Sequence, residues 1–194
     1  GNNLITLLAT ADNGSLGNNT YDNCTITVTD TSTNQVTLNI SSFVIDAFSP
    51  WSQQSYIKAA NSAASDSFGG SVSISVDTIA VAATGEDSNQ ATITNGTTAD
   101  DDNSNSASGG AYVYKRTGST WTQEAYIKAS NNAAGDNFGT SISLDVDTIA
   151  VGATGEDSGT IAIINGMTSS SNDNSSASGA AYVYKRYGNF WVQE

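Results

Sequence analysis

Histidine is absent from the 194 residues, and cysteine occurs once, as Cys24. Without histidine the chain has neither the usual general base nor the usual zinc ligand, and a Ser-His-Asp triad is excluded. One cysteine rules out an intrachain disulfide and a thiolate metal cluster. Basic residues are scarce: Lys and Arg number 6 against 19 Asp and Glu, a formal net charge of −13. Such a surface repels nucleic acid and anionic lipid and attracts cations. It also suits a salt-rich medium. Leucine is rare, methionine occurs once, and no apolar run approaches the roughly 20 residues that span a bilayer. No leader pattern opens the chain, and Gly1 is not an initiator methionine, so upstream sequence is expected to have been removed.

What remains is rich in Gly, Ser, Thr, Asn and Asp, with Thr, Val, Ile and Tyr as strand formers. That composition points to an all-β protein with many turns. Internal similarity is the strongest signal. Trp51, Trp121 and Trp191 each open a related segment, and the interval is 70 residues both times. Paired without a gap, the two full copies agree at about 41 of 70 positions.

Each copy reads as four short strands. In the first copy these are QSYIKA, SVSISV with Val72, Ile74 and Val76 alternating with serines, DTIAVAA, and GAYVYKR. Gly69, Gly85, Gly109 and Gly118 punctuate them as turn residues. The third strand is apolar on both faces (Ile79-Ala80-Val81, and Ile149-Ala150-Val151 in the second copy), which suits a strand sandwiched between sheets. A long polar insertion separates strands three and four. Its ends agree between copies and its middle drifts, as in a surface loop anchored at both ends. Four strands per unit and a period of tens of residues describe a β-propeller blade.

Several acids recur or cluster. Glu86-Asp87 and Glu156-Asp157 occupy the same repeat position. Their duplication favours turn or loop anchoring over cation binding, and both over catalysis, since a catalytic carboxylate pair is normally unique. Asp100-Asp101-Asp102 reads as a solvated charge run, with a cation site as the alternative. If a metal binds, Glu86, Asp87, Asp100, Asp101, Asp102, Glu156 and Asp157 are its candidate ligands, and calcium is the candidate ion. Asp66 and Asp136 precede the Phe-Gly turns and are expected to accept backbone N–H bonds. The recurring tryptophans read as packing between blades. Cys24 reads as a small buried hydrophobe rather than a reactive thiol. The sequons at Asn18, Asn23 and Asn39 read as incidental.

Phe68-Gly69, Phe138-Gly139 and Val151-Gly152-Ala153-Thr154 carry a resemblance. They are similar to the FG-GAP repeat family, whose blades build the integrin α-subunit propeller, and among them to a bacterial subclass. The likeness covers about residues 49–194. The first copy departs from it at Val81-Ala82-Ala83-Thr84. Family blades often carry a DxDxDG calcium loop; here that loop is cut to Val76-Asp77-Thr78 and Val146-Asp147-Thr148, and one Asp cannot supply the six to eight oxygens calcium takes. Residues 1–48, with Ile26, Val28, Val36, Leu38 and Ile40 alternating, resemble the last strands of a bacterial immunoglobulin-like module, which normally needs about 100 residues.

The expected organisation is therefore a partial immunoglobulin-like β segment over 1–48, two four-stranded antiparallel blades over 49–120 and 121–190, and the start of a third repeat at 191–194. Two blades cannot close a ring of about 4–8, so a longer polypeptide or several chains are expected to complete the fold. The resemblance implies a non-catalytic binding or adhesion module, extracellular or at the cell surface, of a larger protein. Its expected partners are other copies of itself, the rest of a longer polypeptide, or an extracellular protein or glycan; nucleic acid and membrane insertion are not expected. The alternative is a structural subunit of an extracellular filament or sheath that assembles by strand exchange.

Overall fold

The structure, a computed structural model, describes residues 19–29, 35–45 and 52–194. Trp51 and the side chain of Cys24 lie outside the described residues. The chain divides into two units, residues 1–53 and 54–194. In the first, strand β1 (Asn19–Thr29) pairs antiparallel with β2 (Gln35–Ile45), in register from Asn19↔Ile45 to Thr29↔Gln35.

The second unit holds two antiparallel sheets. One contains β3 (Phe68–Ser75), β4 (Thr78–Ala83), β5 (Thr94–Asn95), β6 (Gly110–Thr117) and β7 (Thr120–Ile127), in the order β3-β4-β6-β7-β5. The other contains β8 (Phe138–Asp145), β9 (Thr148–Ala153), β10 (Ala180–Tyr187) and β11 (Phe190–Gln193), in the order β11-β10-β9-β8. Among the described residues no helix forms. The all-β, antiparallel expectation holds.

The sheets run one strand out of step with the sequence repeat. Four-stranded sheets were expected over 51–120 and 121–190. In the fold, β7, which opens the second copy, pairs instead with β6 of the first (Tyr112↔Tyr126, Arg116↔Trp121). The equivalent opening segment of the first copy, around Tyr56-Ile57-Lys58, forms no strand. The cause is local. A two-residue turn at Gly118-Ser119, with Gly118 at φ +62°, joins β6 to β7, and so short a loop closes at little entropic cost. The opening strand therefore belongs to the sheet before it.

The two sheets stack face to face through one apolar core. Ala80, Ala111, Val113, Ala125 and Ile127 of the first sheet meet Phe138, Leu144, Ile149, Val151, Tyr182, Tyr184 and Trp191 of the second. The Phe-Gly pair makes this approach possible. Phe138 is buried and stands edge-on to Tyr182 and Tyr184, with ring centroids 5.3 and 6.2 Å away. A Cβ on Gly139, at φ +99°, would lie 2.8 Å from Ala82 Cβ. Serines of β3 fasten the edge: the Oγ atoms of Ser71, Ser73 and Ser75 accept from the backbone N–H groups of Ile142, Leu144 and Val146 at 3.0, 2.9 and 3.1 Å. These alternating serines bind the next sheet's backbone.

Burial separates the copies. β4 is buried on both faces, as its continuous apolar sequence predicts. Its equivalent β9 alternates instead: Ile149 and Val151 are buried in the core, while Ala150 faces outward. The outer face of the first sheet carries a second cluster of Val81, Ala83, Tyr112, Tyr114 and Tyr126, with Ala59 packed on it.

Candidate functional site

The duplicated acids of the repeat gather where each insertion leaves strand three and returns to strand four. Asp87 Oδ1 accepts from Ala107 N at 2.7 Å, and Asp157 Oδ1 accepts from Ala177 N at 2.5 Å. The carbonyls of Glu86 and Glu156 accept from Gly109 N and Gly179 N, both at 2.8 Å. These bonds clip together the two ends of each insertion, the anchoring role read from their duplication. Gly109 (φ +82°) sits against the neighbouring sheet: a Cβ there would stand 2.1 Å from Phe138 O.

Behind the clip lies a buried polar centre. Glu86 and Lys128 form an ion pair of 2.7 Å with both side chains out of water. Glu86 Oε1 also accepts from Asn61 Nδ2 at 3.1 Å and from Ser88 N at 3.2 Å. Lys128 Nζ donates a second bond to Ser108 Oγ at 2.7 Å. Tyr112 donates its hydroxyl hydrogen to Asn61 Oδ1 at 2.6 Å, completing a Tyr-Asn-Glu-Lys chain. Burial pulls the Lys128 ammonium below the ordinary lysine value; the charge of Glu86, and more weakly those of Asp87 and Asp100, opposes the shift. Glu86 is the acid that meets this internal ammonium directly. Asp100 joins through Ser88, whose Oγ donates to Asp100 Oδ2 at 2.9 Å.

The remaining candidates are placed as follows. Asp102 caps its own turn by accepting from Ser104 N at 2.8 Å and from Ser104 Oγ, and these bonds hold its carboxyl below the ordinary value. Asp101 is exposed. Asp157 clips the second insertion, far along the chain from the first cluster, and Glu156 lies behind it. Among the described residues, no group of three or more His, Cys, Asp or Glu side chains is arranged to hold a metal ion. Asp66 and Asp136 accept from Ala63 N and Ala133 N at 2.6 and 2.8 Å, the expected turn role. Burial raises the Asp136 carboxyl above its ordinary value.

Two features of the site escape a reading of the sequence. Asp77 and Asp147 each grip an arginine: Arg116 Nε and Arg186 Nε donate to them at 2.8 and 2.7 Å. Each guanidinium lies over the tryptophan of the next hairpin strand, at 5.6 Å for Trp121 and 5.4 Å for Trp191. A bulge in β7 between Val113 and Tyr114 of its partner strand displaces Glu124 from the ladder. Its Oε2 accepts from Arg186 and from Trp191 Nε1 at 3.1 and 3.0 Å, locking one sheet to the next. The 70-residue spacing of Asp, Arg and Trp was the available signal.

The second copy repeats the centre without its cation. Tyr182 donates to Asn131 Oδ1 at 2.8 Å, and Asn131 Nδ2 donates to Glu156 Oε1, also at 2.8 Å. Glu156 is 3% exposed, and among the described residues no Lys or Arg pairs with it. A cavity of about 480 Å³ opens beside it, bounded by Ala181 and Val183 of β10 and by Ile164 and Asn165 of the insertion.

The duplicated centre, the Phe-Gly contacts and the stacked sheets all follow one repeat. The model of the FG-GAP repeat matches residues 51–114 and 121–184, more than half of the chain. No curated protein and no solved structure matches it. Repeats of this kind build propeller-type binding modules, are generally non-catalytic, and are typical of extracellular or surface proteins. No helix of the described residues is long and apolar enough to cross a membrane. The chain belongs to the FG-GAP repeat family.

Proposed function

We propose that the chain is a non-catalytic binding or adhesion module of a larger secreted or surface protein. The observation that carries this reading is the commitment of its duplicated acids. Glu86 is held by Lys128, Asn61 and Ser88, while Asp87 and Asp157 hold insertion backbone. Groups so engaged serve to fix two long insertions on a stacked β scaffold. Loops positioned by a rigid scaffold are where binding residues concentrate. The second insertion displays Ile161, Ile163 and Met167 to solvent, an apolar strip suited to a protein partner. The test is capture of extracellular-matrix proteins and glycans on an array by the 194-residue chain. Replacing 160–169 with a Gly-Ser linker of equal length is expected to abolish capture while thermal unfolding stays cooperative. Capture that survives the replacement would remove the insertion from the binding role.

The alternative, a structural subunit of an extracellular filament or sheath, is favoured by a different observation. The outward faces of the two sheets are unlike each other, aromatic on the first and small-residue on the second. A head-to-tail contact between such faces repeats indefinitely unless rotation closes it.

A further inference from the structure

The buried centre of the first copy places an amine and an amide on one carboxylate. Lys128, directly after β7, donates from Nζ to Glu86 Oε2 at 2.7 Å. Asn61, in a turn ahead of β3, donates from Nδ2 to Glu86 Oε1 at 3.1 Å. Lys128 and Glu86 are each 1% exposed, and Tyr112, Tyr126 and Ser108 are fully buried around them. A lysine that only neutralised Glu86 would need no second polar group on the same carboxylate.

The amide is also held as attack on its carbon requires. Asn61 Oδ1 accepts from the Tyr112 hydroxyl at 2.6 Å, and Asn61 Nδ2 donates its other hydrogen to the Asp100 carbonyl at 2.5 Å. A donor on the carbonyl oxygen stabilises the negative charge that gathers there when a nucleophile adds. A carboxyl beside the nitrogen can protonate it as it leaves. Burial and the charge of Glu86 push the Tyr112 phenol above its ordinary value, so it keeps its hydrogen. Burial pulls Lys128 the other way, toward the neutral amine that is nucleophilic. The Tyr126 hydroxyl is buried and has no hydrogen-bond partner among the described residues. A Cβ on Gly110 would meet both it and Glu86 Oε2, at 3.6 and 3.5 Å, so the two atoms face one small space.

We infer that Lys128 and Asn61 condense to an internal isopeptide bond, with Glu86 carrying the proton and ammonia leaving. Glu86 takes a proton from the Lys128 ammonium, and the amine adds to Asn61 Cγ, forming the new N–C bond. Tyr112 stabilises the oxyanion on Oδ1. Glu86 passes its proton to Nδ2 and accepts a second from the added nitrogen. The Cγ–Nδ2 bond breaks as the carbonyl reforms. Ammonia departs with that second proton as ammonium, which restores the carboxylate; nothing is oxidised or reduced. Holding both groups on one carboxylate supplies the proximity that an amine and an amide free in water lack. The structure holds the reactant pair, ion pair and intact amide together. The bond ties the turn before β3 to the end of β7 and stands apart from the binding role of the insertions.

The experiment is intact-mass spectrometry of the unfolded 194-residue chain, followed by tryptic mapping. The chain is expected to weigh one ammonia less than its sequence. Acylated Lys128 resists trypsin, so residues 59–115 and 117–185 are expected in one branched fragment. Lys128→Arg keeps a cation for Glu86 but no nucleophile, and Asn61→Ala removes the electrophile; both are expected at full mass with cooperative unfolding. Tyr112→Phe is expected to slow linkage at least about tenfold, the loss of one oxyanion donor, read as linked fraction against time after cell-free synthesis. A wild-type chain that stays at full mass overturns the inference. So does a deficit that persists in Lys128→Arg, or one in which Lys128 is still cleaved, since a succinimide at Asn95-Gly96 would lose the same mass.

Discussion

Lys58 and Lys128 occupy the same position of the repeat, yet one is exposed and the other is 1% exposed. Nothing in the sequence around them differs enough to foretell this. Lys128 directly follows β7, which pairs with β6, whereas the segment that carries Lys58 forms no strand. For Lys128 the consequence is thermodynamic. A buried ion pair adds little net stability relative to an apolar pair of the same shape, but removal of one partner strands the other charge. Lys128→Met is therefore expected to lower the unfolding free energy in urea by about 3–5 kcal/mol, and Lys128→Met combined with Glu86→Gln is expected to recover part of that loss. An additive double variant would mean that the two side chains are not coupled. The acids themselves were legible as anchors, because duplication at one repeat position argues for structure. That their charge is met by a lysine 42 residues away was not, since the pair forms only after β7 joins the preceding sheet.

Strand periodicity made β3, β4, β6 and their second-copy equivalents readable, and the two-residue alternation placed Val72 and Ile74 on one face. The sheet boundaries were less accessible. Sequence similarity marks where the repeat begins, whereas hydrogen bonding follows the tight Gly118-Ser119 turn, and the two need not coincide. The serines of β3 show the same limit. Alternation makes them the polar face, but only packing reveals that they bind the backbone of Ile142, Leu144 and Val146. Between the two sheets, Gly109 and Phe138 form a parallel bridge. With a positive φ and backbone atoms where a Cβ would stand, substitution has no side chain to displace. Gly109→Ala is expected to destabilise the chain by at least about 2 kcal/mol in denaturant unfolding. Gly118→Ala, at a positive φ but with open space around it, is expected to cost about 1 kcal/mol. Equal costs would show that backbone conformation, rather than the contact between sheets, sets the requirement at Gly109.

At the scale of the molecule, a net charge of −13 opposes compaction, because folding concentrates like charges that the extended chain keeps apart. Four of the six cations are already engaged: Arg116 with Asp77, Lys128 with Glu86, Lys185 with Glu194, and Arg186 with Asp147 and Glu124. Between acids at the surface, repulsion reaches about 30 Å at 0.01 M salt and about 8 Å at 0.15 M. Added sodium chloride should therefore raise the melting temperature steeply at low ionic strength and level off above the physiological range. Divalent ions should do the same at lower concentration, by mass action on the folded state. Calcium and magnesium are expected to act alike. The candidate ligands Glu86, Asp87, Asp100 and Asp157 already accept hydrogen bonds from the protein, and Asp77 and Asp147 hold guanidinium groups. A shared site would need those bonds broken before calcium's six to eight oxygens could assemble. Differential scanning calorimetry in chelator, magnesium and calcium at matched ionic strength decides the matter. Coincident curves for the two ions are the expected result, and a rise of several degrees specific to calcium would show that the insertion acids rearrange into a cage.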